Sequence, residues 1–483
     1  MKVLAKKIQQ IYMNLSVPVK ASLWFTICNI LQKGISLLTT PIFTRILTTE
    51  QYGTFSVYQS WYAIISILGT LNLYSSVFNN GMVKYPEDRK TFSSSMLGLS
   101  TLCCTILFAI YLVNVDFWNS LLGLSTVFIV AMFAEMVFTP AFSFWSAEER
   151  FEFRYRKLVV YTLLLALLCP IISIICVIGT EYKAEARVVG MVLVQVVFSS
   201  FFYVYIIAKG RKVYVKEYWK YALKFNIPLI PHYLSMVVLQ QADRIMIGQM
   251  VGNNKAAIYS IAYNISMLMT LITSGINSSY TPYAYQSIQQ QQYKKLGKVG
   301  TGLLMFVGVS IFGVMALAPE LIRVFATSEY YEAVWIVPPV AASVFFMFFY
   351  NVFTTFEFYY EKTVFVMIAS VLGAVLNIIL NYYGIKKFGY LAAGYTTLIC
   401  YILFGVAHYI FSMHVLKVKT GNNQVFSTFW LVVLSAVVLL GMFCMTLTYQ
   451  FTGLRYSILA LMIVVFVACR EKIIDLIKIM KEK

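Results

Sequence analysis

Long apolar stretches recur along the chain, and each is close to the length of a membrane-spanning helix. An α-helix rises ~1.5 Å per residue, so about 20 apolar residues cross the ~30 Å of hydrocarbon in a bilayer. Fourteen stretches meet this requirement, with approximate limits at 20–44, 54–80, 93–115, 120–142, 157–179, 186–208, 225–250, 257–282, 299–324, 332–356, 364–384, 388–415, 425–449 and 454–469. The pattern predicts an all-α polytopic membrane protein with about 14 transmembrane helices.

The composition of the chain agrees with this prediction. Hydrophobic residues make up 60% and charged residues 12% of the 483 residues, whereas a soluble domain carries about 25% charged residues. The loops between the predicted spans are short and charged, and none is long enough to form a folded soluble domain. A membrane enzyme that acts on a soluble donor normally needs more of its chain outside the bilayer. We therefore expect no enzyme and place the function between the helices.

Basic residues collect in alternate loops. Four lie between 150 and 157, six lie between 209 and 224, and several more lie at the end of the chain, whereas the other loops hold scattered cases. Because cytoplasmic loops carry the excess of lysine and arginine, this asymmetry predicts that both termini are cytoplasmic. It accounts for most of the formal charge of +18 without a nucleic-acid partner. A basic cytoplasmic face also binds anionic lipid headgroups.

The central basic loop divides the predicted spans into two sets of six. We predict an N-terminal six-helix bundle at 1–208, a cytoplasmic basic linker at 209–224, a C-terminal six-helix bundle at 225–415, and two additional helices with a cytoplasmic tail at 416–483. The linker is the largest charge cluster in the chain. It is expected to act as the hinge between the bundles.

A weak internal repeat supports two pseudo-symmetric bundles. With an offset of 204 residues, the segment 53–57 falls on 257–261, and the turn 48–51 falls on 252–255. Halved hydropathy patterns of this kind are typical of transporters built from two repeats, whose binding site lies between the repeats.

A few strong charges lie within the predicted spans. They are Lys33, Glu135, Asp243 and Arg244, with Arg45, Arg323 and Glu357 nearer to span ends. Each costs a few kcal/mol if it faces lipid. Asp243 and Arg244 are adjacent, so their side chains point about 100° apart on a helix. We expect one to contact a neighbouring helix and the other to face a cavity. The alternative is that Asp243 only neutralises Arg244 for membrane insertion.

The other intramembrane charges have competing interpretations. Lys33 lies ~20 Å along its helix from Lys20, past the midplane of the bilayer, which favours a cavity over an interface position. Arg45 either faces the same cavity or anchors the outer end of the helix. Glu135 either carries a proton or balances a cation, or it bonds to a neighbouring backbone. Glu357 is expected at the inner membrane interface.

No pattern typical of catalysis or metal binding is present. The three histidines, His232, His408 and His414, stand apart with no carboxylate at ligand spacing, so we expect no metal site. Nucleophile motifs, phosphate loops and paired carboxylates are also missing from the sequence. A cavity with more cations than anions suits a substrate that carries phosphate, because guanidinium and ammonium groups pair with phosphoryl oxygens.

Several motifs near the start of each predicted bundle point to a known family. They are NILQKGIS at 29–36, PIFTRIL at 41–47, EQYG at 50–53, QADRIMIG at 241–248 and AIYS at 257–260. These motifs resemble those of the polysaccharide repeat-unit (O-antigen/capsule) flippases, which belong to the multidrug/oligosaccharidyl-lipid/polysaccharide exporter superfamily. Many members have twelve spans, where this sequence predicts fourteen.

The resemblance implies a V-shaped cavity between two six-helix bundles that opens alternately to each side of the membrane. The implied substrates are undecaprenyl-diphosphate-linked oligosaccharides, moved from the inner to the outer leaflet of a bacterial cytoplasmic membrane. By match of position and residue type, it implies that Lys33, Arg45 and Arg244 engage the diphosphate. Asp243 and Glu135 are candidates for charge balance or for coupling to H+ or Na+.

Other functions remain open at this point. Cation-coupled multidrug efflux is the first alternative, although it would favour carboxylates in the first helix, where this chain has Lys33. A membrane glycan polymerase or ligase would be expected to place catalytic residues in a sizeable outer loop, and lipid II export fits the same charges as the leading function. For that leading function we expect a monomer in contact with membrane lipids, beside a glycan polymerase and without a cofactor.

Overall fold

The computed structural model describes residues 16–421, 425–468, 470, 471 and 475. These residues form α-helices joined by short turns and single 3₁₀ segments. The helices of the first half are α1 (Val17–Ile46), α2 (Thr49–Thr70), α3 (Ser76–Lys84), α4 (Arg89–Val113), α5 (Val115–Leu122), α6 (Thr126–Phe151), α7 (Tyr155–Ile178), α8 (Lys183–Gly210) and α9 (Lys216–Asn226). Those of the second half are α10 (Ile230–Met250), α11 (Asn253–Met267), α12 (Met269–Gln289), α13 (Tyr293–Phe325), α14 (Val337–Tyr359), α15 (Thr363–Phe388), α16 (Ala392–Thr420), α17 (Thr428–Leu447) and α18 (Thr452–Ala468).

The helices account for the apolar stretches in the sequence. In the described part of the chain, 11 helical segments are long and apolar enough to cross a membrane. Helix α1, with 30 residues, and helix α2, with 22, are long enough but more polar, and α18 is a shorter apolar helix. The predicted all-α polytopic fold is confirmed, and about 14 membrane-spanning helices agree with these elements.

The turn between the first two helices follows from local sequence. Thr48 accepts a hydrogen bond at its side chain from the backbone N–H of Gln51, and the Gln51 side chain accepts one from the backbone of Thr48. This reciprocal capping box satisfies two amide donors that would otherwise be unpaired at the start of α2. Pro41 lies inside α1, which continues to Ile46.

The predicted span at 54–80 is wrong in its extent. Helix α2 ends at Thr70, and Leu71 and Asn72 both adopt a left-handed backbone with φ of 49°. Such a backbone interrupts an α-helix, so the chain changes direction before α3 begins. The side chain of Asn226 donates a hydrogen bond to the carbonyl of Leu71, which holds the break in place.

The chain divides into an N-terminal unit, Met1–Leu234, and a C-terminal unit, Ser235–Lys483. In the N-terminal unit, α8 packs against α4, α6 and α7. The core of this unit is aromatic where α6 meets α8: the rings of Trp145 and Phe202 have centroids 4.7 Å apart, and Phe144 is fully buried.

The basic linker predicted at 209–224 contains a helix, α9. Tyr218 and Ala222 are buried, and the indole of Trp219 donates a hydrogen bond to the carbonyl of Ser95, 3.0 Å away on α4. The lysines at 216, 220 and 224 are exposed. Spacing of four residues puts these lysines on one face, so the segment is an amphipathic helix attached to the N-terminal unit.

The C-terminal unit is built around α14 and α16. Nearly every side chain of α14 from Val337 to Phe349 is buried, and α16 packs along it. Helix α15 packs on α16, and α13 packs on both α14 and α17. The fully buried phenylalanines Phe345, Phe348 and Phe353 form the centre of this core.

The last described helix is attached by a buried ion pair. Arg455 of α18 is 3% exposed and pairs with Glu320 of α13, which also accepts a hydrogen bond of 2.9 Å from the hydroxyl of Tyr456. Arg323, one turn further along α13, is exposed. Most of the predicted cytoplasmic tail after residue 470 lies outside the described residues.

A short 3₁₀ segment, Ser328–Trp335, joins α13 to α14 and carries a polar cluster. Its Glu332 accepts hydrogen bonds from Nζ of Lys255, at 2.6 Å, and from the hydroxyl of Tyr390. Both bonds favour the carboxylate, so they lower the pKa of Glu332. The cluster connects the first turn of α11, the 3₁₀ segment and the turn between α15 and α16.

Replacing Gly297 by alanine is expected to destabilise the C-terminal unit by about 1–3 kcal/mol. A Cβ at this position of α13 would lie 1.8 Å from the backbone carbonyl oxygen of Val425, so the backbone must shift. Gly313 is the matched control on the same helix, because a Cβ there meets nothing within 4 Å. Thermal unfolding in detergent should show a lower Tm for Gly297→Ala and an unchanged or higher Tm for Gly313→Ala. Equal Tm values for the two variants would contradict this packing argument.

Candidate functional site

Asp243 lies at the centre of a buried polar network in the C-terminal unit. Its carboxylate accepts hydrogen bonds from the hydroxyl of Tyr259, from Nδ2 of Asn381 at 2.6 Å, and from the hydroxyl of Thr397 at 2.8 Å. These donors come from α11, α15 and α16, and the Asp243 side chain is fully buried. Four helices therefore converge on one carboxylate within the membrane-spanning region.

A second layer of polar groups surrounds the donors to Asp243. Asn381 also donates to the side-chain oxygen of Asn377, one helical turn away, at 3.2 Å. The hydroxyl of Thr396 donates to the side-chain oxygen of Asn381. Because the network consists of one carboxylate and several neutral oxygen and amide groups, it can bind a proton or a small hard cation.

Arg244 points away from its neighbour Asp243. Its Nη1 donates to the carbonyl of Gln240 at 2.9 Å and to the side-chain oxygen of Gln241 at 2.8 Å, and its guanidinium lies 4.2 Å from the ring centroid of Tyr263. The residue is 7% exposed, and the ion pairs found among the described residues do not include it. Arg244 is thus a nearly buried cation that hydrogen-bonds to neutral groups and interacts electrostatically with the adjacent Asp243.

Asp243 contacts neighbouring helices, as expected for one of the two adjacent charges, and Arg244 makes different contacts. The cavity position expected for the other charge stays a prediction. The carboxylate of Asp243 accepts hydrogen bonds from three other donors and also interacts electrostatically with Arg244.

Glu135 forms a smaller network in the N-terminal unit. It lies on α6, is 3% exposed, and accepts a hydrogen bond of 2.9 Å from the hydroxyl of Tyr58 on α2. The side chains of Tyr62 of α2 and Gln195 of α8 also lie near it. The partners are side chains rather than the neighbouring backbone that the sequence left as an alternative. Each unit thus holds a buried carboxylate bonded by a tyrosine.

The two cations predicted on the first helix are exposed. Lys33 lies near the middle of α1, and Arg45 lies in its last turn. Nη1 of Arg45 donates to the carbonyl of Pro41, one turn back, at 2.7 Å. Within the N-terminal unit, neither cation lies in the Glu135 network.

Arg187 lies in the second turn of α8, within the span predicted at 186–208. Its guanidinium is 3.5 Å from the ring centroid of Phe43 on α1 and 4.4 Å from that of Phe55 on α2. Two aromatic rings on a cation stabilise it where water is scarce. The sequence contains no signal for this contact, because Arg187, Phe43 and Phe55 lie on three different helices.

A further buried pair was also missed. Glu357 of α14 was predicted at an interface, yet it is fully buried, and Nδ1 of the fully buried His408 on α16 lies 2.8 Å from its Oε2. No carboxylate lies at ligand spacing from the histidines along the sequence, but in the folded chain Glu357 contacts His408. Among the described residues, no group of three or more histidine, cysteine or acidic side chains could hold a metal ion.

An apolar cavity of about 1140 Å³ lies among helices of the C-terminal unit. Helices α13, α17 and α18 contribute most of its lining, including Gly302, Met305, Phe306, Trp430, Leu434 and Phe466. Lys298, one turn of α13 below Gly302, is at the edge of the same cavity. Its size and lining suit an extended hydrocarbon chain.

Family models match most of this architecture. A model described as "Polysaccharide biosynthesis protein" matches residues 19–288, and the MatE model matches residues 228–383. The first match covers more than half of the 483 residues. Both matches lie within the helical units described above.

Known proteins are similar to the chain at low identity. "Lsg locus putative protein 1" of Haemophilus influenzae is 23% identical over 207 residues, which are 40% of this chain and 50% of that protein's length. The lipid II flippase MurJ, in an inward closed conformation, has a TM-score of 0.67 at 16% identity and covers 93% of this chain and 99% of its own. A multidrug resistance MATE family transporter of the MOP superfamily, facing inward, has a TM-score of 0.62 at 15% identity, covering 80% of this chain and 96% of its own.

At these identities the solved structures show the fold, which is that of MOP-superfamily transporters. The apolar helices describe a multi-pass membrane protein, and its fold is shared with transporters. The chain belongs to the polysaccharide biosynthesis protein family.

Proposed function

We propose that the protein is a flippase that moves undecaprenyl-diphosphate-linked oligosaccharide repeat units from the inner to the outer leaflet. It works by alternating access in a bacterial cytoplasmic membrane, with both termini in the cytoplasm. The basic loops and the family match support this orientation and this substrate class. A monomer working beside a glycan polymerase is part of the same proposal.

The observation that carries the proposal is the state of Arg244. A cation that is 7% exposed in a membrane-spanning helix, hydrogen-bonded to neutral groups and next to a carboxylate that three other donors engage, gains from a further anionic ligand in part of its working cycle. Diphosphate is such a ligand, because a guanidinium forms paired hydrogen bonds with phosphoryl oxygens. The ring of Tyr263 holds the guanidinium in place.

Lys33 and Arg45 are proposed as further contacts for the diphosphate. Both are exposed on the surface of α1, and Nη1 of Arg45 donates to the carbonyl of Pro41. Cations of this kind attract an anionic headgroup from a distance and contribute less to affinity than a desolvated arginine. We assign them to capture of the headgroup, and Arg244 to its retention.

Asp243 and Glu135 are proposed for charge balance and for coupling to H+ or Na+. Each is a buried carboxylate whose hydrogen-bond donors come from neighbouring helices. Uptake of a cation would neutralise the carboxylate and weaken those bonds. The packing of the helices that supply the donors would then change, which is what coupling requires.

The polyisoprenyl chain of the substrate stays in an apolar environment in this proposal. The apolar cavity among α13, α17 and α18 has room for part of such a chain. A soluble sugar nucleotide would gain nothing from that lining, so the cavity supports a lipid-linked substrate.

The proposal is tested by following a fluorescent undecaprenyl-diphosphate oligosaccharide in proteoliposomes. Lys33→Ala and Arg45→Ala are each expected to lower the flipping rate about two- to five-fold, since exposed ion pairs contribute up to about 1 kcal/mol. Lys220→Ala is the control, because that lysine is exposed on α9 and belongs to the linker.

Three results would change the assignment. Full activity of both variants would remove Lys33 and Arg45 from the site and leave the flippase proposal standing. Absence of flipping by the wild-type protein, together with transport of small organic cations, would favour multidrug efflux. Flipping of lipid II in preference to the oligosaccharide would favour lipid II export.

A further inference from the structure

Glu357 and His408 form a fully buried pair between the two central helices of the C-terminal unit. Nδ1 of His408 lies 3.0 Å from Oε1 and 2.8 Å from Oε2 of Glu357. The hydroxyl of Ser412, one turn further along α16, lies 2.9 Å from Oε1 of Glu357 and 2.8 Å from the carbonyl of Phe353. The relative exposure of both ionisable side chains is 0%.

The second imidazole nitrogen of His408 has a different environment. Nε2 is buried and makes no hydrogen bond to any residue in the described part of the chain. Aromatic rings surround the imidazole: the ring centroids of Phe404, Tyr350 and Phe365 lie 4.4, 5.7 and 5.7 Å from its centroid. Rings within about 6 Å favour the cationic form of a group that water cannot reach.

The charge of the pair depends on a single proton. With a neutral imidazole and an ionised carboxylate, the pair carries one negative charge among apolar side chains. With one more proton it is neutral overall, as imidazolium and carboxylate. The ion pairs of the described residues include no lysine or arginine partner for Glu357. A buried uncompensated charge is costly, so the protonated pair and the deprotonated pair favour different packing around them.

The other titratable groups near the pair do not balance its charge. Tyr350, on the same helix as Glu357, faces the imidazole, while α15 contributes the apolar ring of Phe365. Glu361 and Lys362 follow the end of α14 and are exposed. The pair is therefore the charged group that is buried where α14 contacts α16 around Glu357.

We propose that Glu357 and His408 are a proton-binding site, separate from the Asp243 network, through which proton uptake changes the packing of α14 on α16. Its role in transport rests on the proposed flippase function. In the orientation proposed above, Glu357 lies near the cytoplasmic end of α14, and His408 lies in the cytoplasmic half of α16.

Proton uptake and release take place at Nε2 of His408. The neutral imidazole donates its Nδ1–H to the carboxylate of Glu357 and keeps a lone pair on Nε2. A proton from the cytoplasm binds that lone pair to give an imidazolium, which pairs with the carboxylate. On release, the proton leaves Nε2, and the carboxylate is held by the Nδ1–H of His408 and the hydroxyl of Ser412.

The first test observes the proton without any substrate. The chain has three histidines, so ¹⁵N-histidine NMR of the full protein in nanodiscs resolves few signals, and His408→Asn identifies those of His408. Under the proposal, the His408 signals change when the pair takes up or releases its proton. In Glu357→Gln the midpoint should fall by about one to three pH units, because the carboxylate no longer stabilises the imidazolium. Glu361→Gln, with an exposed carboxylate, should leave the midpoint unchanged.

The second test links the proton to transport. Flipping rates of the fluorescent lipid-linked oligosaccharide are measured against the pH on the side of the cytoplasmic loops, at a clamped membrane potential. The profile of Glu357→Gln should move in the same direction and by the same amount as its NMR midpoint. His408→Asn should flatten the profile.

The outcomes separate this inference from the proposed function. A His408 signal that does not titrate, or a midpoint unaffected by Glu357→Gln, overturns the proton site. A shifted midpoint with an unshifted flipping profile overturns its role in transport. If the wild-type protein does not flip the oligosaccharide, the proposed function fails, and the NMR result alone decides whether the pair binds a proton.

Discussion

Replacing Arg244 by glutamine is expected to reduce flipping of the diphosphate-linked oligosaccharide about 10- to 100-fold. Glutamine retains a hydrogen-bonding side chain but loses the charge and the paired donors of the guanidinium. A hydrogen bond to a charged group contributes about 1.5–3 kcal/mol, and each 1.4 kcal/mol corresponds to a factor of ten. The effect is larger than that expected for Lys33 or Arg45 because Arg244 is nearly buried, at 7% exposure.

Two further variants separate charge from geometry at this position. Arg244→Lys keeps the charge but cannot form the fork-shaped contact with phosphate, so an intermediate rate is expected. Arg323→Gln removes an exposed arginine at the end of α13 in the same unit and should leave the rate unchanged. Initial rates over a range of substrate concentrations provide the comparison. Wild-type rates for a correctly inserted Arg244→Gln protein would exclude Arg244 from the diphosphate site.

Replacing Asp243 by asparagine is expected to abolish the dependence of flipping on a cation gradient. Asparagine has nearly the same size, and its side-chain oxygen can accept the bond from Asn381 while the hydroxyls of Tyr259 and Thr397 rotate to accept from its amide. The network then keeps its shape but loses its negative charge. We expect the gradient-driven rate to fall about 10- to 100-fold, to the level measured without a gradient.

The matched control is Tyr259→Phe, which removes one hydrogen bond and leaves the carboxylate in place. Its flipping should still respond to the gradient, at a higher cation concentration than in the wild type. Rates are measured with an H+ gradient, with a Na+ gradient and with neither, which also identifies the ion. If Asp243→Asn protein retains the full wild-type response, Asp243 is not the coupling group, and Glu135 becomes the next residue to test.

The positions of the helices were largely predictable because they depend on local properties. An apolar run of sufficient length must be helical inside a bilayer, whatever its neighbours are. The start of α2 is a similar case, since Thr48 and Gln51 cap the helix within four residues. The error at 54–80 arose where local hydropathy is uninformative. There, the break at Leu71 is held by the side chain of Asn226, 155 residues away.

The intramembrane charges were found from the sequence, but their partners were not. The divergence of Asp243 and Arg244 follows from helical spacing alone. By contrast, the donors to Asp243 lie 16, 138 and 154 residues away in the chain. Nothing in the hydropathy of Asn381 or Thr397 marks them as its partners.

His408 illustrates the same limit most clearly. By sequence spacing it has no acidic partner, and Glu357 looked like an interface residue near a span end. Glu357 is 51 residues away, on the helix that packs along α16 over most of its length. The interpretation of each residue changed because helix packing removed both from water and placed them in contact.

By itself, the sequence determined that this is an all-α membrane protein, where its spans lie, and which charges occur within them. These properties depend on the free energy of transferring each segment into hydrocarbon, which is nearly a sum over its own residues. The tertiary structure alone decided that Asp243 is enclosed by three helices, that Arg187 lies between two aromatic rings, and that Glu357 meets His408. Such contacts depend on how the helices pack, which is set by shape and by hydrogen bonds between residues far apart in the chain.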